Sequence, residues 1–273
     1  MRELILEAGR AERHYWRDLW HYRELFYTLA WRDLAVRYKQ TAIGVSWALI
    51  RPLLTMVVFT VVFGKLAKLP APDGVPYALL VFAAMLPWQF VATGVSEASA
   101  SLIGNASLIS KVYFPRLIVP AASVITSFAD FLVSFVILLG LMTWYQYAPD
   151  WRILTLPFFI LLAVGAVSGL GVWLCALNVK YRDFRYVVPF VVQVGLYISP
   201  VGFSSVVVPE AWRLLYNLNP MVGVIEGVRW AVLRGSTPLD PIAVLMSVVT
   251  VALVLASGLW YFRNTEKSFA DLI

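Results

Sequence analysis

WRDLAVRYKQTAIGVSWALIRP, residues Trp31 to Pro52, is the stretch on which the reading of the whole chain turns. Arg32, Asp33, Arg37 and Lys39 interrupt Trp31, Leu34, Val36 and Tyr38, a mixture suited to a helix lying at the level of lipid headgroups with its cations toward phosphate. Beyond it the solvent changes. From Thr41 onward Arg51 is the one charge before Lys65, and a helix of that length can cross a hydrocarbon core of about 30 Å. The alternative is a soluble amphipathic helix feeding a buried core helix, and the flanking sequence decides between the two.

Composition favours the membrane. Of 273 residues 60% are hydrophobic and 14% charged, against about 25% charged in an ordinary soluble domain. The 11 Trp and 13 Tyr suit the membrane interface, where an apolar ring keeps a polar edge wet. A net charge of +6 raises the question of nucleic acid, but a groove for phosphates needs Lys and Arg clustered on one exposed face, and here they sit between apolar runs. The single cysteine, Cys175, lies in an apolar run and leaves no intrachain disulfide to form. Met1 to Tyr22 is dense in charge and has no apolar h-region, so the first span is expected to act as its own insertion signal.

Residues 1–40 form an N-terminal arm with a helical stripe at Leu4, Ala8, Ala11, Tyr15, Leu19, Tyr22, Phe26 and Leu29, its other faces lined by alternating Arg and Glu or Asp. Apolar segments then predict six spans within residues 41–262: 41–64, 77–96, 117–147, 153–179, 187–203 and 241–262, followed by a tail at 263–273. Lys111, Arg116, Lys180, Arg182, Arg185, Arg263 and Lys267 join the arm's cations on one side, so both termini are expected in the cytoplasm. Residues 204–240 differ from a plain loop. Trp212, Leu215 and Leu218, then Met221, Ile225, Val228 and Val232, recur at helical spacing around a break where Asn219 can cap and Pro220 can take the first helical position. Each helix is too short and too charged to cross alone, which predicts a re-entrant hairpin on the outer side, with an ordinary surface hairpin as the alternative. The fold class is therefore all-α and polytopic, one membrane domain without internal repeats.

Several chemistries are excluded. Both histidines, His14 and His21, lie in the arm, so no His-based nucleophile or His-ligated metal can assemble within the spans. Neither Ser46 nor Ser96 sits in a nucleophile elbow, and no G-x-x-x-x-G-K-[ST] occurs, so any nucleotide must be bound by another polypeptide. Arg51 and Asp130 are the charges in apolar surroundings; Arg51 can snorkel to inner-leaflet phosphate or meet an anionic substrate headgroup, and Asp130 calls for a partner or a proton. Gly165, Gly169 and Gly171 suit close helix packing.

Beyond Trp31 to Pro52, the motifs LPWQF at Leu86 to Phe90, SLISKVYFPRLIVP at Ser107 to Pro120, LNVKYRDFRYVVPFVVQ at Leu177 to Gln193, SPVGF from Ser199, LNP at Leu218 to Pro220 and FRNTEKSFADLI from Phe262 run in one order along nearly the whole chain. In that order the chain resembles the transmembrane subunit of polysaccharide-exporting ABC-2 transporters, the group moving O-antigen, teichoic acid and capsule-type glycans. The resemblance implies a homodimer of six-span subunits in the bacterial inner membrane, joined to two copies of an ATPase that carries the ATP and magnesium, this chain holding no cofactor itself. It implies export of a glycan on a polyprenyl pyrophosphate carrier. It also implies a coupling helix within residues 100–115, with Ser107, Leu108, Lys111, Val112, Tyr113, Phe114 and Pro115 at the ATPase.

The residues independently support contact there, because Leu108, Ile109, Val112, Tyr113 and Phe114 are too apolar for a solvated loop. Aromatic rings can pack on the apolar faces of sugars, and Phe59, Phe63, Phe82, Trp88, Phe90, Phe190 and Tyr197 are the candidates for a translocation path. Arg32, Arg37, Lys39 and Arg51 are the candidates for lipid phosphate. A secondary transporter or channel would need ionisable residues through several spans, and a multi-span enzyme on lipid-linked sugars would need a catalytic cluster, for which Glu97, Asp183 and Asp240 are scattered.

Overall fold

The run from Leu79 to Leu86 has no polar residue on any face, and a helix apolar all round must be surrounded by protein or lipid. In the computed structural model, which describes residues 15–39, 44–68, 72 and 74–269, this run lies in helix α4 (Tyr77–Gly104), which occupies the centre of the bundle. Leu79, Val81, Ala83, Ala84 and Met85 are all buried. Helices α6 (Ile118–Trp144) and α7 (Leu156–Lys180) pack on it, and α11 (Pro241–Thr265) packs on the other side of α7. Together with the turns that extend two of them, these make four helices long and apolar enough to cross a bilayer: Tyr77–Gly104, Ile118–Trp144, Trp151–Lys180 and Pro241–Ser268. Among the described residues there is no strand.

Small residues bring these helices together, as the glycine spacing in α7 predicts. A Cβ on Gly169 would lie 2.8 Å from the backbone of Leu255, and one on Gly258 would lie 2.5 Å from the carbonyl oxygen of Gly169. Neither position tolerates a side chain without separating α7 from α11.

The arm appears as α1 (Tyr15–His21) and α2 (Arg23–Lys39), the second burying Leu29 and Ala30 against the end of the bundle where α6 starts and α11 ends. The expected apolar positions Leu4, Ala8 and Ala11 lie outside the described residues, as do 41–43 and 270–273. Helix α3 (Gly44–Phe59) passes through Pro52 and continues as a π-helical stretch, Thr60–Leu66. Arg51 falls on α3, its side chain outside the described part.

Helix α8 (Phe184–Ile198) corrects the fifth expected span. It has 15 residues, a reach of roughly 22 Å, and Ser199 then turns to extended backbone ahead of Pro200, so residues 199–203 are not helical. The other helix starts follow local chemistry. Asp150, Asn219 and Asp240 each accept a backbone N–H two residues on, from Arg152, Met221 and Ile242 at 3.0, 3.0 and 2.9 Å, and the prolines at 157, 220 and 241 occupy first turns where no N–H is missed.

The segment after α8 holds the two helices its spacing predicts, α9 (Glu210–Tyr216) and α10 (Pro220–Val232). Met221, Ile225, Val228 and Val232 face the bundle and are buried, whereas Trp212, Leu214 and Leu215 of α9 are exposed. Arg229, 1% exposed, is the cation the sequence places least comfortably. Its guanidinium donates to the carbonyls of Val201 at 2.7 Å, Phe203 at 2.8 Å and Leu80 at 3.1 Å, so it satisfies the irregular backbone after α8 and ties it to α4. Glu226, also buried, accepts the Ser205 N–H at 3.0 Å. α10 thus holds the segment after α8 from inside with charged groups that a count of charge alone reads as solvent-facing.

Candidate functional site

Helix α4 carries Trp88, Gln89, Thr93 and Glu97 at spacings of one, four and four, which places them near one another on a helix surface. In the structure they line a cleft of about 770 Å³ together with Pro52 and Thr55 of α3, Ser127, Asp130 and Ser134 of α6, and Gln193 of α8. One wall is aromatic. Phe90 and Phe131 line it with Trp88, and Phe128, outside the lining, packs on both phenylalanines with ring centroids 5.6 to 5.7 Å away. Trp88 reaches across to α8 at Gly195, where a Cβ would lie 2.6 Å from the indole, so only glycine lets this ring seat there.

The other pole of the cleft is ionic. The Arg37 guanidinium donates to Asp130 Oδ2 and to Glu97 Oε1, bridging α2 to both α6 and α4. The Tyr38 hydroxyl donates to Asp130 Oδ1, and Ser127 Oγ donates to Glu97 Oε2 at 2.9 Å. Each carboxylate oxygen therefore already accepts one hydrogen bond and keeps a lone pair for another donor. The three charged side chains are about 30% exposed, so the cluster borders the cleft rather than being sealed from it. Burial works against the Arg37 charge, but the two carboxylates more than offset it and hold its pKa above the ordinary value. Burial, then the bond to Asp130, pushes the Tyr38 phenol up.

This placement revises several expectations. Arg37, expected at lipid phosphate, is engaged by two carboxylates; ionised, the cluster is net negative and would repel a phosphate rather than bind it. Arg32 is paired with Asp33 and also donates to Asn105 Oδ1 at 2.8 Å, while Lys39 is exposed. Of the aromatic candidates, Trp88 and Phe90 line the cleft. Phe82 does not: its ring is 1% exposed in the interior of the bundle, because α4 is surrounded at that level. Phe59 and Phe63 pack on each other at 5.2 Å, and Phe190 and Tyr197 are each 66% exposed on α8, away from the cleft.

The segment between α4 and α6 contains the one-turn helix α5 (Ala106–Ile109), which carries Ser107 and Leu108. Lys111, Val112 and Tyr113 are exposed, as expected of a contact surface. Ile109, Phe114 and Pro115 are buried, so Ile109 and Phe114 are not free for the contact expected of them. The Ile109 and Phe114 side chains join Leu29, Ala30, Leu117, Ile118, Phe262 and Phe269 in a second apolar core, which anchors the start of α6 against the arm and the end of α11.

Sequence reasoning missed the meeting of Glu97 with Asp130. Ending the second span at Ser96 put Glu97 at an interface, whereas the helix continues to Gly104 and keeps it on the bundle. The signal available was an unexplained carboxylate on each of two neighbouring spans, with a basic helix before them. Among the described residues no group of three or more His, Cys, Asp or Glu could hold a metal ion.

Four crossing-length helices, two of which, α4 and α6, wall a cleft lined with polar groups, define a polytopic membrane protein. The chain belongs to the ABC-2 type transporter family, whose model matches residues 24–233. It is similar to the O-antigen export system permease protein RfbA of Myxococcus xanthus, 27% identical over 260 residues covering 94% of this chain and 98% of that protein. A Klebsiella pneumoniae protein of the same description is 25% identical over 254 residues, covering 92% and 95%. The polysialic acid transport protein KpsM of Escherichia coli is 22% identical over 243 residues, covering 87% and 92%.

Proposed function

We propose that this chain is the permease subunit of an ATP-driven exporter that moves a polysaccharide, carried on polyprenyl pyrophosphate, across the bacterial inner membrane. The observation that carries this reading is the cleft: aromatic on one wall, rich in amide, hydroxyl and carboxylate groups on the others, and open between helices rather than closed around a catalytic group. Sugars offer apolar faces and many hydroxyl donors, and the unfilled lone pairs of Glu97 and Asp130 suit those donors. The pyrophosphate end has no such welcome there, and it belongs at the cytoplasmic interface near Arg32, Lys39 and Arg51.

In the six-crossing reading α3 and α8 complete the count, α9 and α10 dip into the outer leaflet, and both termini are cytoplasmic. The exposed apolar residues of α3 and α8, among them Leu54, Val57, Val58, Phe190, Val191 and Tyr197, then face a second copy of the chain, which supplies the other half of the passage. ATP and magnesium reside on two copies of a partner ATPase, docked on the exposed surface of Ser107, Leu108, Lys111, Val112 and Tyr113.

Two measurements in the native host test the proposal. Deleting the chain should leave the glycan inside the cell, with surface sugars, labelled by mild periodate oxidation and hydrazide dye, lost. The full-length chain should bring down an ABC ATPase in mild detergent. Unchanged surface labelling, or a permease that purifies without an ATPase, would refute it.

A further inference from the structure

Glu266 opens a short 3-10 turn, Glu266–Ser268, where α11 ends, and it meets Arg116, 150 residues earlier in the chain. Its Oε1 accepts the backbone N–H of Arg116 at 2.7 Å, and its carbonyl accepts from the Arg116 guanidinium. Arg116 stands just before α6, whose cap position, Leu117, offers no side-chain acceptor. A helix start leaves backbone donors without partners and carries a partial positive charge, so Glu266 supplies from α11 both the acceptor and the charge that the local sequence omits.

Apolar contacts reinforce the link. Phe269 is fully buried, lies edge-to-face on Phe262 at 5.3 Å and has the Arg116 guanidinium 6.0 Å from its ring centre. Both rings share one core with Ile109 and Phe114 of the segment that precedes Arg116, and with Leu29 of α2. The arm closes the third side. The Arg263 guanidinium lies 4.9 Å over the Tyr15 ring, and the buried Tyr15 hydroxyl sits beside the Glu266 carboxylate, so that burial and then that charge push the Tyr15 phenol up.

We propose that Glu266 and Phe269 make the turn after α11 a seat for the segment 107–116, so that a force applied to its exposed face moves α6 and α11 as one piece. Glu266 is then a positioning residue for export rather than a part of the passage. The proposal rests on the docking of an ATPase to that face, and the two fail separately.

The test uses the full chain co-expressed with its ATPase, reading co-purification, ATP hydrolysis and periodate-labelled surface glycan. Glu266→Ala loses the acceptor and is expected to assemble and hydrolyse ATP while surface glycan falls at least tenfold. Glu266→Gln keeps an oxygen at the Arg116 N–H and should retain at least half of the glycan. Export by Glu266→Ala at the level of the unaltered chain, or Glu266→Gln as impaired as Glu266→Ala, overturns the seat. Failure of the unaltered chain to bring down the ATPase overturns the docking surface instead. Should Glu266→Ala not accumulate, Arg116→Cys with Glu266→Cys in a Cys175→Ser chain decides. Joining the two thiols with a short bismaleimide in vesicles should restore ATP-driven transfer of the host's lipid-linked glycan relative to the unjoined form; a block by the link would show that the two elements must separate.

Discussion

Arg37→Leu tests the ionic pole of the cleft most sharply, because among the described residues Arg37 is the cation that bridges Glu97 and Asp130. Breaking a fully buried pair by deleting one partner costs about 3–5 kcal/mol, much of it from the charge left behind. Here the side chains are 29 to 31% exposed, so solvent screening lowers the expected loss to roughly 1–3 kcal/mol. For a chain of this size that corresponds to a fall in Tm of about 2–10 °C. The chain supplies its own reporter: Cys175 is the single cysteine and is fully buried, so a maleimide dye that fluoresces on reaction reads unfolding in detergent directly. Adding Glu97→Gln and Asp130→Asn to Arg37→Leu removes the stranded charges and should recover most of the loss. An Arg37→Leu protein that melts with the unaltered chain, or a triple variant as unstable as the single, would refute the bridge.

Arg229→Met should strand the carbonyls of Val201, Phe203 and Leu80 in the interior, costing about 3 kcal/mol or more by the same dye, and stability equal to the unaltered chain would remove its structural role. Gly169→Val places a side chain against the backbone of Leu255 and is expected to cost about 1–3 kcal/mol, an outcome that Gly169→Ala should show in weaker form. Trp88→Ala should leave the chain inserted and bound to its ATPase while lowering surface glycan about tenfold, equivalent to about 1.4 kcal/mol of lost interaction; full export would take Trp88 out of the passage. Tyr113→Glu, exposed, should abolish ATPase capture without affecting insertion, whereas Phe114→Glu, buried, should destabilise the chain itself, and the two variants behaving alike would undo the division of that segment.

The amino-acid pattern carried the helical class, the capping of α10 by Asn219 with Pro220 in its first turn, and the close approach at Gly169, because each rests on local chemistry. It also brought forward Trp88 and Phe90, which line the cleft. It misplaced Phe82, since an apolar residue on a helix apolar all round gives no sign of which face meets a cleft. It overextended the fifth span because hydropathy continues through Pro200 to Phe203 after the helix has ended. Glu97, Arg229 and Glu266 escaped for one shared reason. Each is a charged group whose partner lies from 26 to 150 residues away or more than one element distant, so no local window shows that it is satisfied rather than solvated.

Transport itself is the property to measure. Vesicles holding this chain and its ATPase, loaded with a glycan on polyprenyl pyrophosphate isolated from the host, should move that glycan to the far leaflet when ATP is added and stay idle when the ATPase is omitted. Movement driven by an ion gradient without the ATPase, or a bound ATPase that turns over ATP while the glycan stays where it was, would contradict it.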